Sequence, residues 1–133
     1  MSNTATTTFS VTKWVPDTYD QPVEGPDLAR VSVTKSFEGD LSGTSKGEGL
    51  FCGMADPADG AGYMVSERFS GSLGQRAGTF VLQHVGIMSP GSPPRAFGHV
   101  VPGSGTGELA GLTGTIELGA DHKLTLTYDG LSD

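Results

Sequence analysis

The run Val101-Pro102-Gly103-Ser104-Gly105-Thr106-Gly107-Glu108-Leu109-Ala110-Gly111-Leu112-Thr113-Gly114 limits what this chain can fold into more than any other segment. Five glycines are spread among small, acidic and apolar residues, and nothing recurs at helical spacing. A helix is ruled out there, because each interior glycine costs roughly 1 kcal/mol against alanine. Glycine serves a chain that bends sharply, passes close to another backbone or lines a cavity wall. The run therefore implies a curved sheet. Glycine supplies 21 of the 133 residues, more than twice the common ~7%. A strand-rich fold suits that composition and a helical bundle does not.

Eight segments support the same conclusion through period-2 alternation. They are Phe9–Val15, Leu28–Leu41, Thr44–Met54, Tyr63–Ser70, Thr79–Met88, Phe97–Val101, Leu112–Leu118 and His122–Tyr128. Pro16 is expected to end the first, and Asp17–Asp27 reads as a loop long enough to cover an opening. Phe9, Val11 and Lys13 share one face of the first strand, with Trp14 on the other. The links are short. The expected fold is all-β, an eight-stranded antiparallel closed β-barrel, lipocalin-like in shape, with room for side chains or one small ligand. A two-sheet sandwich is the alternative. Residues 1–8 hold little to pack and are expected to form a disordered N-terminal tail, with 9–133 as a single β-barrel domain.

Charge and cysteine content exclude several function classes. The formal net charge of -7 opposes nucleic acid and anionic membrane as partners. No apolar run reaches the length of a membrane span. Cys52 is the only cysteine, so no internal disulfide is possible and a cytoplasmic setting is expected. Gly103-Ser104-Gly105-Thr106-Gly107 lacks the Gly-Lys-Ser/Thr ending of a phosphate loop, and Ser104 lacks the strand–serine–helix setting of a hydrolase nucleophile.

Two ionisable residues stand on apolar faces. Glu67 shares a face with Tyr63, Val65 and Phe69, and His84 shares one with Phe80 and Leu82. Their strands form a hairpin, so both are expected inside and near each other. A carboxylate beside an imidazole orients its tautomer and raises its basicity, which suits general acid–base work. A buried polar network that fixes strand register needs the same residues. Glu108 is a third candidate catalytic acid, or a latch on backbone N–H groups. The expected ligand is a mostly apolar small molecule, met by Trp14, Tyr63, Phe69, Phe80, Phe97, His122 and Tyr128. His84, His99 and His122 share parity with apolar neighbours, as a zinc site needs, yet each equally fits a hydrogen-bonded strand residue. Neither metal nor cofactor is expected, and a homo-oligomer is compatible with the surface.

Four segments together resemble the DUF3224 family of small bacterial proteins: Ser36-Phe37-Glu38-Gly39-Asp40-Leu41-Ser42-Gly43, Gly62-Tyr63-Met64-Val65-Ser66-Glu67-Arg68-Phe69-Ser70-Gly71, Gly78-Thr79-Phe80-Val81-Leu82-Gln83-His84, and Val101 to Gly111. His122 and Tyr128 extend the match, which runs from Phe9 to Tyr128. That family is similar in fold to the allene oxide cyclase barrel. The resemblance implies the barrel, and related barrels include enzymes that rearrange or cyclise apolar substrates. Where the family has Gly-Gly-Arg, this chain has Gly74-Gln75-Arg76, a change confined to a turn. An isomerase or cyclase using Glu67, His84 and Glu108 is the first expectation. A non-catalytic protein that binds a ligand or self-associates is the second.

Overall fold

Eight antiparallel strands make up most of the chain in the computed structural model, which describes residues 2–132. They are β1 Asn3–Asp20, β2 Leu28–Gly39, β3 Leu41–Cys52, β4 Ala61–Leu73, β5 Arg76–Met88, β6 Arg95–Val100, β7 Thr113–Leu118 and β8 Lys123–Asp129. Among the described residues helix appears only as 3-10 turns at Pro57–Asp59, Gly107–Leu109 and Ala120–His122. Each strand pairs with the next, and β8 pairs back onto β1, so the sheet runs round as a ring. Among the described residues no helix is long and apolar enough to cross a membrane.

The inward positions follow the period-2 pattern, and they divide the interior into two ends. One end is packed solid. Phe37, Phe69 and Phe80 meet there with ring centroids 5.4 and 5.1 Å apart, among Leu41, Leu82, Ile116 and Leu126. Each such buried side chain contributes roughly 1.5–3 kcal/mol. The glycine-rich run is not itself sheet until Thr113, where β7 begins. It folds across this end, where Thr106 N donates to Thr79 O at 2.8 Å and Leu109 and Leu112 are sealed from solvent. At the other end a smaller cluster of Val31, Val33, Phe51 and Val65 lines the wall, with Tyr63 and Met54 against it.

Three expectations about the N-terminal third do not hold. The tail expected over 1–8 is, from Asn3 on, part of β1, paired with both β2 and β8. Ala5 and Thr7 are buried, and Thr7 Oγ1 lies 2.8 Å from the carbonyls of both Glu38 and Leu41. Small side chains suffice there because the neighbouring inward positions are large, and threonine suits a pleated strand. Pro16 does not end β1 but pairs in register with Val31. Beyond Thr8 the strand has β2 alone beside it, so the missing proline donor lies on an open edge, where proline is tolerated. Lys13, Pro16 and Asp17 together make that edge a poor template for another strand. The loop is accordingly shorter than Asp17–Asp27, starting after Asp20, and no residue of it lines the interior cavity.

The third difference concerns parity. The β1–β2 register slips between Val11 and Lys13: Val11 pairs with Lys35, Lys13 with Thr34 and Trp14 with Val33. This bulge leaves Thr12 as the extra residue and places Trp14 on the same inner side as Phe9 and Val11.

Candidate functional site

A cluster of four polar side chains sits inside the ring, between its two ends. Lys35 on β2, Ser45 on β3, Glu67 on β4 and His84 on β5 are all buried. The register brings them together. Lys35 pairs with Ser45, Glu67 with Leu82, and His84 with Val65, so Glu67 and His84 meet diagonally across their hairpin. Glycine on the flanking strands makes the room. Gly47 pairs with Glu67, and a Cβ there would stand 2.5 Å from the Glu67 Cβ. Gly98 pairs with His84, and a Cβ there would stand 2.6 Å from both Cα and Cβ of that histidine.

Glu67 is the hub. Its Oε2 accepts from Lys35 Nζ at 2.9 Å and His84 Nε2 at 2.5 Å, and its Oε1 accepts from Ser45 Oγ at 2.7 Å. Burial pushes this carboxyl up. The His84 hydrogen bond and the Lys35 charge outweigh that and hold it down at about 2. Glu67 is therefore ionised and can only accept, which assigns the shared proton to His84 Nε2. In the neutral ring Nδ1 is then the acceptor, and it is buried with no hydrogen-bond partner. Burial, and next the Glu67 charge, push the Tyr63 hydroxyl up.

A cavity of about 570 Å³ lies on this cluster at the loosely filled end. Lys35 and His84 contribute to its wall, with Phe9, Trp14, Phe51 and Tyr63 as its rings and Pro93 and Pro94 from the β5–β6 connection. Phe51 stacks on Tyr63 at 5.1 Å, and Trp14 meets Phe51 edge-on at 5.1 Å. Lys35 Nζ also lies 4.7 Å from the centre of the Phe9 ring. His122 lies flat on the other aromatic surface available there, with ring centroids 4.7 Å from Phe9 and its Nδ1 3.2 Å from the Phe9 carbonyl oxygen.

The remaining expected residues are elsewhere. Phe69 and Phe80 are fully buried in the packed end, and Tyr128 packs against it, so these three fill the interior and do not line the cavity. Phe97 faces outward. The inner side of β6 is Ala96, Gly98 and Val100, and at 98 the Gln83 carbonyl and the His84 Cα and Cβ on β5 leave no room for a side chain. Phe97 instead joins Leu50, Met64 and Val85 in an outer groove of about 780 Å³. That groove's flanking charges, Arg30 and Glu48, pair with each other at 2.9 Å. Glu108 is exposed on the turn that closes the packed end, and its Oε1 accepts from Ala77 N at 3.2 Å. It acts as a latch and is not brought to Glu67 and His84. The histidines do not converge: His84 is interior, His99 is on the outer face and His122 is in a turn. Among the described residues no group of His, Cys, Asp or Glu is arranged to hold a metal ion.

Lys35 and Ser45 were missed as site residues. The signal for Lys35 was present, since it alternates in phase with Ala29, Val31, Val33 and Phe37. Ser45 gave none, standing among glycines and other small residues.

Fold and site together define a class: an all-β ring of eight antiparallel strands around a buried Lys–Glu–His cluster with an aromatic-walled cavity beside it. The chain belongs to the family described as protein of unknown function (DUF3224), whose model matches residues 5–129. It is similar to a solved structure of a protein with unknown function from that family, from Shewanella oneidensis MR-1. The two share 36% identity over 100% of each chain, with a TM-score of 0.86. No curated protein matches the chain.

Proposed function

We propose that the ring is a closed barrel of the allene oxide cyclase kind that binds a mostly apolar small molecule and moves a proton on it, as an isomerase or cyclase does. The observation that carries this reading is His84 Nδ1, a buried acceptor with no partner on a ring that borders an apolar cavity. A carboxylate on one ring nitrogen and a free second nitrogen is the arrangement of a general base. Glu67 fixes the tautomer and stabilises the imidazolium as His84 takes a proton. The aromatic walls hold the substrate in one conformation, which lowers the barrier to ring closure. A cytoplasmic location fits a single free cysteine.

Proton transfer can be tested without the natural substrate. Apolar ketones with exchangeable α-protons are incubated with the protein in D2O and followed by NMR. The wild-type protein is expected to speed exchange, and His84→Ala to lose at least about 100-fold of that acceleration. If ketones bind and no exchange is accelerated, the catalytic part of the reading is wrong.

The second reading is a non-catalytic protein that self-associates. It is favoured by the outer row of Leu50, Met64 and Phe97, which are 49%, 58% and 38% exposed on adjoining parts of one groove. Sedimentation velocity of the wild-type protein and Met64→Glu separates this reading from a monomeric barrel.

A further inference from the structure

Resting on the reading of the cavity as a ligand site, we propose that its ligand is an apolar ring compound bearing a hydroxyl that donates a hydrogen bond to His84 Nδ1, a phenol or an enol. The charges already present decide the polar group. Lys35 is paired with Glu67 at 2.9 Å, so the cluster offers no uncommitted cation to a carboxylate. The vacant position is an acceptor, which repels a carboxylate and gains nothing from a hydrocarbon. Because the nitrogen is buried, it has already lost its hydration, and a hydroxyl that reaches it gains a bond without desolvating the acceptor. The nitrogen is covered, so the hydroxyl reaches it only as the wall gives way. Tyr63, edge-on to His84 with ring centroids 5.9 Å apart, is the side chain placed to move.

The walls decide the rest of the molecule. Trp14, Phe51 and Tyr63 form a connected series of rings at 5.1 Å spacings. Pro93 and Pro94 are further flat apolar surfaces. Such walls favour a planar conjugated body over a flexible chain, because offset stacking adds to area burial and a rigid ligand loses less freedom on binding.

The test is calorimetric titration of the full chain with three probes of one shape: 2-naphthol, 2-naphthoate and naphthalene. The naphthol is expected to bind about tenfold tighter than the other two, one hydrogen bond to a buried unpartnered acceptor. His84→Phe is expected to remove that preference. Should that variant not fold, the wild-type protein labelled with ¹⁵N at histidine gives the same answer, since a hydroxyl bond shifts the Nδ1 resonance and leaves Nε2 in place. Equal affinities, a preference for naphthoate, or an unmoved Nδ1 resonance with bound naphthol would each overturn the ligand class while leaving the cavity as a binding site. Failure of all three probes to bind would overturn the site itself.

Discussion

Acid should unfold this protein through Glu67 in a way that one substitution removes. The folded carboxyl sits at about 2, against an ordinary value of 4.5. Each pH unit of that depression corresponds to about 1.4 kcal/mol, so the ionised group contributes about 3 kcal/mol to the folded state. Because the folded value lies below the unfolded one, the unfolded chain binds more protons between the two. The contribution is fully present above about pH 4.5 and is lost as pH falls toward 2. Glu67→Gln keeps the shape and removes the charge. At neutral pH it leaves Lys35 buried without its counter-ion, a loss of about 3 to 5 kcal/mol.

Urea unfolding of both proteins at a series of pH values isolates the effect. The difference in unfolding free energy should shrink steadily as pH falls between about 4.5 and 2. All other carboxylates cancel in that difference. A difference that stays constant down to pH 2 would refute the assignment of Glu67 as the ionised hub. So would a Gln variant as stable as the wild type at pH 7.

Gly98→Ala places a methyl group against the Gln83 carbonyl oxygen and 2.6 Å from His84 Cα and Cβ, and should cost about 1–3 kcal/mol, read as a lower urea midpoint. Phe80→Ala opens a void in the packed end and should cost about 3–5 kcal/mol. Trp14→Ala, at a residue 45% exposed, should cost under about 1 kcal/mol while weakening 2-naphthol binding severalfold. Glu108→Ala removes one exposed hydrogen bond, should cost no more than about 1 kcal/mol and should leave ketone exchange at the wild-type rate.

The strand count was legible because long alternating segments with short links leave few other folds, and Glu67 and His84 were legible because both interrupt an apolar face. Lys35 interrupts one in the same way. A lysine stem covers apolar surface with its head in water on most strands, so its phase alone does not mark it as buried. Only the Glu67 carboxylate, supplied from two strands away, makes burial of that ammonium tolerable. Trp14 and Phe97 show where alternation misleads. A single extra residue at Thr12 reverses the first, and no local pattern announces a bulge whose partner strand is some twenty residues distant. The second points outward although it is the largest residue on β6.

What decides the inside of β6 is the neighbouring strand, not β6 itself. Opposite His84, Gly98 has the Gln83 carbonyl and the His84 Cα and Cβ where a side chain would start. Opposite Glu67, Gly47 has the Glu67 Cβ and the Ser66 carbonyl in the same position. A glycine in the middle of a strand weakens that strand by loss of side-chain packing and by backbone entropy. Two such glycines, each in register with a buried ionisable side chain, indicate that the polar cluster sets the sequence of the strands around it. If that is so, enlarging either glycine should disturb the cluster before it disturbs the sheet. In Gly47→Ala the Glu67 carboxyl, followed by ¹³C NMR, should titrate nearer 4.5 than about 2, with strand hydrogen-exchange protection retained. Loss of strand protection with the carboxyl unmoved would mean that the glycines serve the backbone and not the site.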